Sequence, residues 1–150
     1  MKYTILTFLI ITAGFCQAQE LKEVNVPTVV KDAFKKKFPA ATKVEWSKES
    51  ETEFEAEFKN NNSEQSAIFS AAGVWTTTET VIDKAMLPQS VQASITKGFA
   101  GYKIDEVERV ETGKSLFYEV ELTKAKSKLA VQIAEDGKVI KQEEAKEEKD

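Results

Sequence analysis

The chain contains no histidine, and its single cysteine, Cys16, lies in a segment that reads as a removable leader. Cysteine–histidine zinc sites, thiol nucleophiles and Ser-His-Asp triads therefore lack their side chains. A disulfide scaffold is excluded as well, although an exported chain could form one. Without histidine, no side chain changes charge near neutral pH unless its surroundings shift it strongly. Long apolar runs are missing too. Ile5 to Ile11 is mostly apolar but falls far short of the roughly 20 residues that span a bilayer. No Gly-x-Ser-x-Gly motif and no phosphate-cradling glycine loop is present. Ser94 and Lys97 form an isolated Ser-x-x-Lys with none of its supporting motifs, which is treated as coincidence. The expectation is a protein that is not an enzyme and uses no cofactor or metal.

The N-terminus carries its own signal. Met1-Lys2 is a basic start, and Cys16-Gln17-Ala18 places small residues three and one before Gln19. That pattern predicts a secretory signal over 1–18, cut before Gln19. The rival reading is a lipid anchor on Cys16, but bulky Phe15 stands where such signals want a small residue. The expected product is exported, periplasmic or extracellular, and soluble, with no integral membrane segment after cleavage. Removing 18 of the 150 residues leaves 132, and losing Lys2 changes the net charge from −4 to −5. This mild acidity argues against a nucleic-acid partner. The charged stretch 143–150 reads as a frayed, solvated tail.

Within the remainder, the chain repeats itself. Val26-Pro27 opens a run with Val30, Phe34 and Phe38, and Leu87-Pro88 opens another with Val91, Ile95 and Phe99, 61 residues later. Phe54 to Phe58 matches Tyr118 to Leu122, and Gly73 matches Gly137, at an offset of 64. The second copy has thus gained three residues in between. Proline at a first helical turn and apolar residues at four-residue steps predict a helix over about 27–38 in the first copy. Alternating runs after it predict three or four antiparallel strands, with Phe54, Ala56 and Phe58 on one face and Glu53, Glu55 and Glu57 on the other. The fold expected is α+β. It has two tandem copies, 26–82 and 83–142, after a short extension over 19–25, with helices on one face of the sheets. A copy of about 60 residues is marginal alone, so the two are expected to form one compact tandem unit.

Candidate functional residues are few. Glu53, Glu55, Glu57, Glu119 and Glu121 could suggest paired carboxylates or a calcium site. Alternation alone instead predicts a solvated strand face. Lys35, Lys36 and Lys37 fit the negative end of a helix dipole better than an anion site. Trp46 and Trp75 are possible contact residues, because tryptophan is enriched in binding hot spots. Trp75 aligns with Val139, which favours the core. Trp46 aligns with Arg109, a residue type rarely buried, which favours a partly exposed sheet face; packing and contact both stay open for it. Trp46, Trp75 and Arg109 are the candidate partner-binding residues.

Val26-Pro27, Val30, Phe34 and Phe38-Pro39, then Val44-Glu45-Trp46, Phe54 to Phe58 and Ala72-Gly73-Val74-Trp75 together resemble the PepSY-like family. Its members are small exported bacterial proteins described as beta-lactamase-inhibitor-like and common in Bacteroidetes. The resemblance runs from about Val26 to Ile140. It implies a periplasmic or outer-surface location, a tandem helix-plus-sheet fold and a protein-binding or inhibitory role, and it supplies no functional residues to carry over. The second copy departs from the pattern at Arg109 and Val139. The expected function is binding of another envelope or periplasmic protein or peptide through an open sheet face. The alternative is a periplasmic binder of a small molecule or envelope component.

Overall fold

The computed structural model describes residues 19–22 and 25–144. The expected signal over 1–18, Cys16 with it, and the tail beyond Glu144 lie outside the described residues. The chain divides into two compact units that meet at Thr80 and Val81. Each has the composition of an α+β fold, one helix with antiparallel strands.

In unit 1, α1 spans Thr28–Lys37, directly after Pro27. Val30, Phe34 and Phe38 fall on one helical stripe and are buried. Phe38 ends the helix with an extended φ of −125°, because the following Pro39 disfavours helical backbone before it. Lys35, Lys36 and Lys37 occupy the last turn, where cations oppose the dipole. Five strands follow one another in antiparallel order: β1 (Gln19–Leu21), β2 (Thr42–Lys48), β3 (Glu53–Asn60), β4 (Ser63–Ser70) and β5 (Trp75–Val81). The segment expected as a plain extension therefore contributes β1, with Leu21 opposite Trp46.

Unit 2 begins with a short 3-10 turn, Lys84–Met86, and then α2 (Gln89–Gly98). Its strands are β6 (Lys103–Thr112), β7 (Leu116–Lys124), β8 (Ser127–Ala134) and β9 (Val139–Glu144), paired antiparallel in sequence order. Strand β9 pairs Glu143 with Ala130 and Glu144 with Leu129. The first two residues of the expected tail are therefore ladder residues.

Each unit closes its own core between helix and sheet. In unit 1, Phe34 is the hub of an aromatic cluster, its ring centroid 5.0 Å from Phe58, 5.3 Å from Trp46, 5.5 Å from Phe38 and 6.2 Å from Phe69. Edge-on geometries dominate, as the ring quadrupoles favour. In unit 2, Ile95 packs instead with Val107, Tyr118, Val120, Leu122, Val131 and Ile133. The hairpin between the last two strands of each unit leans on its helix through a glycine with positive φ, Gly73 at +77° and Gly137 at +88°. A Cβ at Gly73 would come within 2.8 Å of the Val29 carbonyl oxygen, and one at Gly137 within 2.7 Å of that of Ser90. The Ser94 hydroxyl donates to the Gly137 carbonyl at 2.5 Å. The serine of the Ser-x-x-Lys coincidence thus fastens a hairpin.

Candidate functional site

Strand pairing assigns every side chain to a face. Trp46 lies opposite Ala56, Phe54 opposite Phe69, and Phe69 opposite Trp75; these residues belong to the face under α1. Trp46 is only 5% exposed and meets Phe34 edge-on. Of the two readings left open for Trp46, packing holds, and the partly exposed position is excluded. Ala56, between Phe54 and Phe58, leaves the space that the indole fills. Trp75 is half-buried at the border of the same core. Its Nε1–H donates to Thr78 Oγ1 at 2.8 Å, and Lys37 Nζ stands 3.7 Å from its ring centroid, a cation–π contact.

Arg109 lies opposite Tyr118, also on the helix-side face, and its Nη1 contacts Glu111 Oε2 at 3.0 Å. The register also revises its equivalence. Tyr118 corresponds to Phe54, whose partner is Lys48, so Arg109 corresponds to Lys48. Val107 opposite Val120 takes the seat of Trp46 opposite Ala56. The three additional residues thus lie in the hairpin between Arg109 and Tyr118. None of Trp46, Trp75 and Arg109 lies on the face away from the helices.

That other face is built from glutamates. In unit 1, Ser47, Glu55, Ile68 and Thr77 form one cross-strand row, and Glu45, Glu57, Ser66 and Glu79 the next. In unit 2, the corresponding rows are Glu108, Glu119, Gln132 and Lys141, then Glu106, Glu121, Ala130 and Glu143. Glutamate occurs at both members of four corresponding pairs: Glu45 and Glu106, Glu55 and Glu119, Glu57 and Glu121, Glu79 and Glu143.

The expectation of a solvated row is also corrected. Glu55 is 2% exposed, Glu79 4%, Glu108 5% and Glu119 7%. Glu55 and Glu119 stand on β3 and β7, each with a strand on both sides, so same-face neighbours flank them across the ladder. Their contacts reflect that. Ser47 Oγ donates to Glu55 Oε2 at 3.3 Å, and Ser66 Oγ to Glu79 Oε2 at 3.4 Å. In unit 2, Gln132 Nε2 donates to Glu119 Oε2 at 3.1 Å, and Lys128 Nζ meets Glu121 Oε2 at 3.3 Å.

Burial and crowding raise the affinity of several of these carboxylates for protons. Glu57 is raised first by burial, then by Glu55, Glu45 and Glu64. Glu49, after β2, is raised by burial and by Glu55 and Glu53. Glu119 is pushed from 4.5 up to about 7. Burial is the largest cause, Glu121 and Glu143 add to it, and the Gln132 amide and Lys141 oppose it. A histidine-free chain thus acquires a group that titrates near neutrality. The signal available in the sequence was Glu108 and Glu119 on strands that pair, but their register follows only from the fold.

Among the described residues, no group of three or more acidic, cysteine or histidine side chains is placed to hold a metal ion. No helix of the described residues is long and apolar enough to cross a membrane.

Comparison with known proteins agrees with this architecture. The family model "Putative beta-lactamase-inhibitor-like, PepSY-like" matches residues 13–65 and 52–141. The chain belongs to this PepSY-like family. Among solved structures, a DUF2874 family protein of Bacteroides uniformis is similar at 23% identity and a TM-score of 0.74, over 79% of this chain and 88% of that one. A BLIP-like protein of Bacteroides fragilis is similar at 22% identity and a TM-score of 0.71, over 83% and 90%. A third structure, described as "putative periplasmic proteins" of Bacteroides eggerthii, is similar at 20% identity and a TM-score of 0.75, over 79% and 88%. At these identities the likeness is one of fold. No curated protein matches the chain.

Proposed function

We propose that the chain is a non-catalytic exported protein, built from two copies of one helix-plus-sheet module, that binds a basic protein or peptide through its glutamate-lined sheet faces. The observation that carries this reading is the recurrence of glutamate at four corresponding pairs on the faces away from the helices. Folding alone gives no reason to place the same costly carboxylates there twice. A cationic segment laid across such a face would meet matched negative charge.

The family description and the BLIP-like neighbour support a protein partner. Export is supported by the leader pattern of Lys2, Ile5 to Ile11 and Ala18 and by the neighbour described as periplasmic. The lack of histidine, and of cysteine beyond the leader, supports a non-catalytic role.

The test uses charge reversal at two half-buried positions, Glu57→Lys with Glu121→Lys, which spares the cores. Wild-type and variant chains are offered the same periplasmic extract, and captured proteins are identified and rebound in purified form. A specific basic partner lost from the variant supports the reading. Equal retention by both chains refutes it. Trp46→Ala is unsuitable here, because it would damage the core of unit 1.

A further inference from the structure

Among the cross-strand positions at which the two sheet faces differ, one adjoins a buried glutamate in each unit. In unit 1, Glu55 faces Ser47, whose hydroxyl donates to it at 3.3 Å. In unit 2, the corresponding Glu119 faces Glu108. A hydroxyl donor is thus replaced by a second carboxylate, and both glutamates are more than nine-tenths buried. Like charges directly opposite on one face repel, and removal from water strengthens the repulsion.

We propose that Glu119, set opposite a second buried carboxylate, is a proton switch for the partner-binding face of unit 2. The inference rests on the reading of that face as a site for basic partners. The groups facing Glu119 are Glu108 and Glu106 from β6, Glu121 from β7, Gln132 and Lys128 from β8, and Lys141 and Glu143 from β9. Lys128 contacts Glu121, and Lys141 contacts Glu143 at 2.7 Å. Lys128 and Lys141 therefore each contact a glutamate other than Glu119, although Lys141 also favours the ionised form of Glu119. Burial first, and then Glu121 and Glu143, also raise the proton affinity of Glu119, to a midpoint of about 7, against the Gln132 amide and Lys141. A cationic partner favours the ionised form, so its binding expels the proton, and by linkage its affinity rises with pH. Unit 1, with Ser47 as donor, has no such arrangement at Glu55.

The test measures binding of a ten-lysine peptide to the full chain by calorimetry at pH 6 and pH 8, at low salt, for wild type and Glu119→Gln. If the bound cation lowers the proton affinity of Glu119 by one pH unit, the wild type binds about fivefold more tightly at pH 8 than at pH 6. The variant, with no proton to lose there, changes less than about twofold. Amide NMR spectra confirm that both chains are folded, and the ¹³C shift of the Glu119 carboxyl is followed against pH. Equal pH dependence in the two chains, or a carboxyl midpoint at pH 5 or below, overturns the switch while leaving the binding face in place. Failure of the wild type to bind the peptide at both pH values overturns the binding reading and the switch together.

Discussion

Unit 1 and unit 2 bring two chemistries to the same pairing scheme. Under α1 the core is aromatic, and Trp46 beside Ala56 sets one very large residue against one very small one. Under α2 the corresponding pair is Val107 and Val120, two residues of middling size. Interior packing requires filled volume rather than a given residue at each place, and the two pairs are alternative ways to fill one gap. The opposite faces show the reverse behaviour. There glutamate stands at four corresponding positions in both units, and the differences fall on its neighbours: Ser47 against Glu108, Ile68 against Gln132, Thr77 against Lys141. The cores differ in shape and share hydrophobicity, whereas the faces share glutamates and differ in how these are held.

Several substitutions would break or sharpen this contrast. The largest effect is expected in the aromatic core, where Trp46→Ala, which strips an edge-on partner from Phe34, should cost about 3–5 kcal/mol. Val107→Ala in the corresponding seat should cost roughly 2 kcal/mol. Urea denaturation of the full chain measures both, and equal losses would show that the two seats are not equivalent.

Next in size is Glu119→Gln. The folded chain holds the Glu119 proton more tightly than the unfolded chain, with an ordinary value of 4.5 raised to about 7. Stability from this group is therefore complete below about pH 4.5 and is lost as pH rises through about 7. The substitution should raise stability by up to about 3 kcal/mol at pH 8 and by nothing at pH 4.5. Thermal melts across pH check this, and a gain that is constant with pH would contradict it.

Gly73→Ala should cost about 1–3 kcal/mol, since the backbone is left-handed there and Val29 leaves no room for a Cβ. Glu108→Ser transplants the unit 1 arrangement into unit 2. It should lower the Glu119 midpoint, read by carboxyl NMR; an unmoved midpoint would show that burial, Glu121 and Glu143 hold the proton without Glu108. The smallest effect belongs to Arg109→Ala. Its contact with Glu111 joins two partly exposed side chains, so stability should change by less than about 1 kcal/mol.

Much of the fold was legible in the residues. Pro27 and Phe38-Pro39 bracket α1 within one residue of its observed ends. The alternation of Phe54 to Phe58 sorts the two faces of β3 correctly, and Gly73 and Gly137 mark the hairpins. The candidate site was less legible. The signals that favoured exposure for Trp46 were its identity and its alignment with Arg109, yet the ladder aligns Trp46 with Val107. The 61-residue offset of the helices, continued without a gap, already sets Trp46 against Val107 and Lys48 against Arg109, so the miss came from placing the three added residues before Arg109 rather than after it. A further clue lay in Ala56, a small residue on a face of large ones, but it became a clue only once Trp46 was known to lie opposite.

The sequence by itself determined which residues share a face, where the helices begin and end, and which catalytic chemistries are closed to a chain without histidine. These follow from local rules: the two periodicities, the backbone limits of proline and glycine, and the inventory of side chains. The tertiary structure alone decided that Glu55, Glu108 and Glu119 are buried rather than solvated, that Trp46 is core, and that Glu119 meets a second acid where Glu55 meets a hydroxyl. Alternation states which way a side chain points. What stands beside it is set by strand register, which brings together residues distant in the sequence, and that proximity governs desolvation and charge.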